Sequence, residues 1–392
     1  ASEGADIFVS LATNEARRGS ALAAVEDTLS SIENVTGGFG NDTITGNGGV
    51  NILIGGGGND TLTGGTGVDT LSGGVGNDTI VYTIGDGADV IDGGADSDTI
   101  NILGTTANNA LTVTYDGGQI TTFNASTVAN VETINVSLGD GVDTLTYTGA
   151  TANLTVNLQV GIATGFGSIA GIENVVGGTG ADTFVGDASV NRFTGGAGDD
   201  TYIVAAGDTA VEAAGGGTDI VFTSSASFTL AANVENLTFT GVGAFNGVGN
   251  GSDNFIVGGN GGATLDGGAG ADTLTGGSGI DTLNGGSGND RLIGGAGNDI
   301  MNGGANDDMF VFSAGGGHDT ITGFDANPSG GQDLMDLTAY GITAANFAAR
   351  VQIVDLGADT QITIDGTDII TLMGVNGTGT NVITQTDFWF GP

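Results

Sequence analysis

The sequence predicts an all-β chain, a right-handed parallel β-roll or β-helix solenoid with a small C-terminal β cap. Three observations carry this. Of 392 residues, 79 are glycine, far above the average of about 7%. A nine-residue period recurs in three blocks. Charge is one-sided, with 45 Asp and Glu against 5 arginines, no lysine and a formal net charge of −40. Ile, Leu, Val and Phe are frequent and mean hydropathy is slightly positive, unlike a disordered chain. An uncompensated charge of this size would push a packed body apart. The carboxylates are therefore spread along the chain or neutralised by something cationic.

The period opens at residue 37. GGFGNDTIT, GNGGVNILI, GGGGNDTLT, GGTGVDTLS and GGVGNDTIV follow without a break. A second block, GGTGADTFV, GDASVNRFT and GGAGDDTYI, fills 177–203. A third, of seven nonapeptides, runs from 249 to 311, and GGADSDTIN stands alone at 93. Six residues rich in Gly and Asp or Asn form a turn, because glycine takes positive φ without steric cost. Three residues then form a strand whose large apolar residue at position eight faces inward. Those residues are Ile44, Leu53, Leu62, Leu71 and Ile80 in the first block. In the third they are Ile256, Leu265, Leu274, Leu283, Leu292, Met301 and Phe310. Strands stacked by crossovers of one hand are parallel.

This nonapeptide, GGxGxDxUx with U large and apolar, resembles the calcium-binding repeat of the RTX (repeats-in-toxin) family. The resemblance covers about 145 residues and implies a β-roll holding several Ca²⁺ ions in its turns. The physics agrees. One large inward side chain per nine residues does not offset the ordering of nine, several of them glycine, and stacked aspartates add repulsion. Ca²⁺ takes six to eight oxygens, which neighbouring turns offer as carboxylates and glycine carbonyls.

The expected carboxylate ligands are Asp42, Asp60, Asp69, Asp78, Asp98, Asp182, Asp200, Asp272, Asp281, Asp290, Asp299 and Asp308 at position six. Asp89 and Asp319 join them from the partial rungs 80–94 and 309–324. The expected carbonyl ligands sit at positions two and four: Gly38, Gly40, Gly56, Gly58, Gly65, Gly67, Gly74, Gly76, Gly178 and Gly180 in the first two blocks. In the third they are Gly268, Gly270, Gly277, Gly279, Gly286, Gly288, Gly295 and Gly297. Turns alternate between two sides, so a shared ion joins repeats eighteen residues apart. This pairs Asp42 with Asp60, Asp60 with Asp78, Asp272 with Asp290, Asp281 with Asp299 and Asp290 with Asp308. Asn51, Asn191 and Asn254 replace the carboxylate, Ala263 removes it, and Asp253 sits one place early; sites there are expected to be weak or missing.

The chain reads in order as an N-terminal cap and first rungs (1–36), a first repeat block (37–101), wider β-helical rungs (102–176), a second block (177–203), intervening rungs (204–248), a third block (249–324) and a C-terminal β domain (325–392). Within the cap, EARRGSALAAVEDTL (15–29) reads as a helix. SIENVTGGFGNDTITGN (31–47) matches GIENVVGGTGADTFVGD (171–187). Glu33, Glu173 and Glu235 recur in that context, either as ligands or as caps on buried backbone. His318 occupies a variable turn position and reads as a solvated turn residue. From about 312 the character changes, with Pro328, Pro392 and Trp389, and alternation around VQIVDL, TQITID and DIITLMGV reads as strands. The end, VITQTDFWFGP, resembles the uncleaved C-terminal signal of type I secretion substrates, with Asp387, Phe388, Trp389 and Phe390 fitting and Gly391 and Pro392 extending past it.

Composition excludes several chemistries. Without lysine there is no P-loop lysine or Schiff base, and without cysteine no disulfide, thiolate zinc site or thiol nucleophile. One histidine leaves no HExxH motif, and no GxSxG elbow occurs. The acidic balance argues against nucleic acid and anionic membrane as partners. No apolar run approaches a membrane span. The start, ASEGADIFVS, lacks a signal-peptide layout and reads as a fragment's or processed chain's beginning.

The resemblance implies a bacterial protein, extracellular or at the cell surface, held unfolded where calcium is scarce, exported by type I secretion machinery and folded outside. The leading expectation is a structural surface protein, not an enzyme, that self-assembles as an S-layer-like sheet, filament or adhesin. The alternative is the C-terminal calcium-binding and secretion module of an extracellular protease, lipase or polysaccharide-modifying enzyme whose catalytic domain lies upstream of residue 1. An enzyme within these residues, using paired carboxylates, is the third reading. An ice-binding array is set aside, because position three reads Phe39, Gly48, Gly57, Thr66 and Val75 without regularity.

Overall fold

The computed structural model describes residues 4–19, 23–327, 332–377 and 382–391. It divides into two compact units, Ala1–Gly196 and Ala197–Pro392. Both are built almost wholly from short strands in parallel ladders, as period nine requires. Among the described residues no helix is long and apolar enough to cross a membrane. Pro328 and Pro392 lie outside the described residues.

In the first unit successive nonapeptides alternate between two sheets, so within the unbroken repeats each strand stacks on the one eighteen residues away, and where other lengths intervene the separation grows while the alignment holds. Ile44 lies opposite Leu62, Leu62 opposite Ile80, Ile80 opposite Ile100 and Ile100 opposite Ile134. The other sheet aligns Val35, Leu53, Leu71, Ile91 and Val128. Ile44, Leu53, Leu62, Leu71 and Ile80 are all buried, so the position-eight residues form the core. Some strands are longer than three residues. Ile52–Gly57 and Thr70–Val75 run on into the turn, pairing Gly56 with Gly74, because glycines without side chains allow the ladder to continue.

Among the described residues three regions of this unit depart from parallel stacking, one of them the antiparallel pair Thr155–Asn157 and Ile162–Ala163. Ala110–Asp116, Gln119–Phe123 and Ser126–Ala129 make an antiparallel meander whose outer strands rejoin the parallel ladder. At the N-terminus, the helix expected over 15–29 is not formed. Glu15–Arg18 is a strand, antiparallel to Ile7–Ser10 and to Asp27–Thr28; residues 20–22 lie outside the described residues. The hairpin turns at Asn14, with φ of 60°, and Arg17 lies over the Phe8 ring at 5.5 Å. Edge pairing satisfies main-chain groups of Ile7–Ser10, a gain that outweighs the helix propensity of the alanines.

The second unit repeats the plan. One sheet aligns Leu237, Ile256, Leu274, Leu292, Phe310, Met335 and Phe388. The other aligns Gly247, Leu265, Leu283, Met301, Ile321 and Leu372. The C-terminal strands Val351–Asp355, Thr360–Ile364 and Asp368–Met373 form an antiparallel meander, and the last also pairs in parallel with His318–Thr322. Phe347 packs on Phe388 with ring centroids 4.7 Å apart, closing this end of the core.

Candidate metal centre

Two side-chain ladders run up the turns. The outer one uses position five. Asn41 Oδ1 accepts the Asn59 N–H at 2.7 Å, Asn59 Oδ1 that of Asn77 at 2.9 Å, and Asn77 Oδ1 that of Ser97 at 3.0 Å. Asp253 belongs here, accepting the Ala271 N–H at 2.7 Å, and the exposed His318 gives its N–H to Asn298 Oδ1 at 3.0 Å.

The inner ladder uses position six and is buried. Asp42 N–H donates to Asp60 Oδ1 and Asp60 N–H to Asp78 Oδ1, both at 2.7 Å. Asp78 continues to Asp98 at 2.7 Å, and Asp69 reaches Asp89 at 2.9 Å. In the third block Asp272 donates to Asp290 at 2.8 Å, Asp281 to Asp299 at 2.9 Å, Asp290 to Asp308 at 2.9 Å and Asp299 to Asp319 at 3.0 Å. The five aspartate pairs read from the spacing are thus neighbours in the fold. Asp182 Oδ1 takes the Leu154 N–H at 2.8 Å, and Asp200 gives its N–H to Asp219 Oδ1 at 2.8 Å.

The second oxygen of each carboxylate separates the turns into two kinds. In the first turns of a run, Asp42 Oδ2 accepts the Gly38 N–H at 2.7 Å and Asp182 Oδ2 the Gly178 N–H at 3.1 Å. Neither glycine is at positive φ. In the following turns the position-two glycine is left-handed, as at Gly56 (φ 114°) and Gly268 (φ 103°). There its N–H no longer meets the acid. Oδ2 of Asp60, Asp69, Asp78, Asp98, Asp272, Asp281, Asp290, Asp299 and Asp308 is buried with no hydrogen-bond partner. Buried polar groups ordinarily find partners, so a row of bare carboxylate oxygens marks places built for something else.

Position one explains its own glycine. A Cβ on Gly285 would strike Asp290 Oδ2 and lie 2.5 Å from the Gly303 carbonyl oxygen; Gly55 meets Asp60 Oδ2 in the same way. The carboxylate therefore lies against bare main chain.

Electrostatics reflects the crowding. Burial, then the charges of Asp78 and Asp42, push Asp60 up to about 7 against the lowering effect of the Asp42 N–H. Burial with Asp333 and Asp290 raises Asp308 to about 7. Burial lifts Asp281 to about 6, with Asp299 adding, and Asp319 to about 7, with Asp299 and Asp368 adding.

The asparagine turns are self-satisfied. Asn51 Oδ1 accepts the Asn47 N–H at 2.8 Å while Nδ2 donates to the Glu33 carbonyl at 3.0 Å. Asn254 likewise accepts from Asn250 at 2.8 Å and donates to the Val234 and Glu235 carbonyls. Ala263 only gives its N–H to Asp281 Oδ1, at 2.6 Å. Glu173 and Glu235 cap backbone, accepting the N–H of Asp143 at 2.8 Å and Asp219 at 3.0 Å. The Glu33 carboxylate is exposed, and its carbonyl serves Asn51.

Spacing missed Asp143, Asp219, Asp333 and Glu132, which continue the inner ladder. Asp333 accepts the Asp308 N–H at 2.9 Å across 25 residues, and Glu132 that of Asp98 at 2.7 Å across 34. A glycine one to three residues before an Asp that opens an apolar strand, as in GVDTL, GGTDIV and GGQDL, is the signal that would have found the three aspartates.

The family described as the RTX calcium-binding nonapeptide repeat matches residues 28–62, 45–80, 85–101, 169–208, 248–283 and 275–310. No curated protein matches the chain. Among solved structures, the extracellular lipase LipA from Serratia marcescens is similar at 16% identity with a TM-score of 0.23, covering 86% of this chain and 39% of that one. The chain thus spans about two fifths of that lipase's length. RTX repeats are a structural module that binds Ca²⁺ in its turns and is typical of secreted bacterial proteins. The chain carries RTX calcium-binding nonapeptide repeats over these residues.

Proposed function

We propose that this chain is an extracellular structural protein whose rungs are closed by Ca²⁺ at the position-six aspartates, and that the folded chain self-assembles as a surface layer or filament. The observation that carries the calcium part is the row of buried Oδ2 atoms without partners, from Asp60 to Asp308. The position-six carboxylates, with main-chain carbonyls of the position-two and position-four glycines, would hold the ions. Bound there, Ca²⁺ supplies a hard positive charge that takes six to eight oxygens and offsets the stacked carboxylates.

The chain's own residues prepare this. Each Oδ1 is tied to the N–H of the preceding rung on its side, as at Asp281 and Asp299, so the carboxylate is oriented before any ion arrives. The left-handed position-two glycine withholds the N–H that would satisfy Oδ2 internally. Without the cation the folded state must bury bare carboxylates or protonate them, and both disfavour folding at neutral pH. Binding to the folded state alone is then folding free energy.

Export through type I machinery fits this dependence, since low cytoplasmic calcium would leave the chain unfolded. In the folded second unit Asp387 and Phe388 are buried, with Asp387 accepting from Gln332 Nε2 at 2.8 Å and from the Thr384 N–H at 2.6 Å. Folding of the second unit would thus cover the Asp387 and Phe388 part of a signal at 387–390 while Trp389 stays exposed. Large apolar side chains left exposed in the first unit, Phe39 (71%), Val50 (67%) and Val75 (60%), offer a second copy apolar contacts. Electron microscopy after dialysis from EGTA into millimolar calcium tests assembly. Sheets or filaments that dissolve again in EGTA support it; discrete monomers turn the reading to a folding and secretion module of a larger enzyme.

A further inference from the structure

Where the second repeat block ends, its last position-six acid, Asp200, lies with Glu212 and Asp219; one carboxylate oxygen of each is within 4.8 Å of the others, and all three residues are buried. Asp200 closes the turn before strand Thr201–Val204, and Asp219 closes the next turn on the same side, before Ile220–Thr223. These turns are stacked. Gly198 N–H donates to the Gly216 carbonyl at 2.5 Å, Ile220 N–H to the Asp200 carbonyl at 2.9 Å, and Asp200 N–H to Asp219 Oδ1 at 2.8 Å.

Glu212 has no counterpart in the nonapeptide. It follows the short strand Thr209–Val211 and is held by the Tyr202 hydroxyl, which donates to its Oε1. Asp219 supplies a separate sign of a missing ligand. It is 0% exposed, its Oδ1 is taken by the Asp200 N–H, and its Oδ2 has no partner. Three acids converge where the repeat alone supplies two.

We infer that Asp200, Glu212 and Asp219 hold a divalent cation of the Ca²⁺ class at a site that adds a third carboxylate, Glu212, to the end of the repeat ladder and is tighter than the two-carboxylate repeat sites. The donor set is all carboxylate oxygen, which suits a hard cation and offers no nitrogen or sulfur for zinc or copper. Affinity in oxygen sites follows the number of charged ligands and the rigidity of the cage. Glu212 adds the third charge, and Tyr202 fixes its position. The inference rests on the calcium reading of the repeats and adds a residue that the repeat does not specify.

Terbium, a hard trivalent stand-in for Ca²⁺, tests this on the full chain stripped of metal, because a tyrosine beside the ion sensitises its emission. The expected result is emission at the first equivalent of Tb³⁺, displaced by Ca²⁺, which Tyr202→Phe removes without lowering the number of calcium ions bound. Glu212→Gln, which keeps the shape, weakens that first step about tenfold or more and leaves the later steps in place. An unchanged first step in Glu212→Gln, or full emission in Tyr202→Phe, overturns the inference. An Asp281→Ala/Asp299→Ala variant separates the two failures. If it loses calcium while Glu212→Gln keeps the tight step, the three-acid site falls alone. If it also binds calcium unchanged, the repeat reading falls with it.

Discussion

Asp281 and Asp299 stand eighteen residues apart, and the main-chain N–H of the first donates to Oδ1 of the second at 2.9 Å, while Oδ2 of each is buried without a partner. One oxygen builds the stack and the other is held in reserve. Replacing both with alanine should lower the number of calcium ions bound in calorimetric titration and shrink the calcium-dependent rise in Tm. A titration indistinguishable from the unmodified chain would remove these carboxylates from the ligand set.

The raised carboxyls give the calcium-free chain an unusual pH dependence. Folded Asp60, Asp308 and Asp319 hold protons up to about 7, against an ordinary value of 3.8. Between those values the folded state carries more protons than the unfolded state, so stability falls as pH rises. In EGTA, the Tm should therefore be higher at pH 5 than at pH 7.5. Calcium competes with the same protons, so its affinity should weaken as pH drops through 7 to 6. A calcium-free Tm that climbs towards neutral pH would contradict the burial of these acids.

Position one offers a steric test that leaves every carboxylate in place. Gly285 is not at positive φ, yet an added Cβ would meet Asp290 Oδ2 and the Gly303 carbonyl. Gly285→Ala should cost about 1–3 kcal/mol, the usual range for overpacking, and weaken calcium binding. Gly251 has open space, so Gly251→Ala should stay within about 0.5 kcal/mol. Equal effects in urea denaturation would show that the carboxylate does not lie against position one.

Deletion of 387–392 separates secretion from folding. It removes the Phe388 pairing with Met335 and the Asp387 contact with Gln332, and it should abolish export through a type I system. Asp387→Asn, which keeps most of the shape, should lower stability more than export. Secretion at the normal level after the deletion would place the signal elsewhere.

The core was legible because one inward residue every nine, alternating between two sheets, leaves no other register than eighteen; Leu265, Leu283 and Met301 align as that period demands. The inner aspartate ladder was legible only while the period held. Where loops of other lengths intervene, as between Asp308 and Asp333 or Asp98 and Glu132, the same hydrogen bond forms across a spacing that no counting supplies. The hairpin at Glu15–Arg18 was misread because local helix propensity was visible and edge pairing with Ile7–Ser10 was not. The position-five ladder of Asn41, Asn59 and Asn77 was hidden because Asn in a glycine turn reads simply as a turn former. The difference between Asp42 and Asp60 depends on φ at Gly38 and Gly56, which identical glycines cannot reveal in sequence.

Calcium ligation by the position-six aspartates is tested most plainly by a crystal structure of the chain grown in millimolar calcium, with anomalous scattering used to locate the ions. Calcium peaks are expected between rungs eighteen residues apart in the third block, in contact with Oδ2 of Asp272, Asp281, Asp290 and Asp299. Ordered turns whose Oδ2 atoms contact only water or main-chain N–H groups, with no calcium between them, would contradict that ligation.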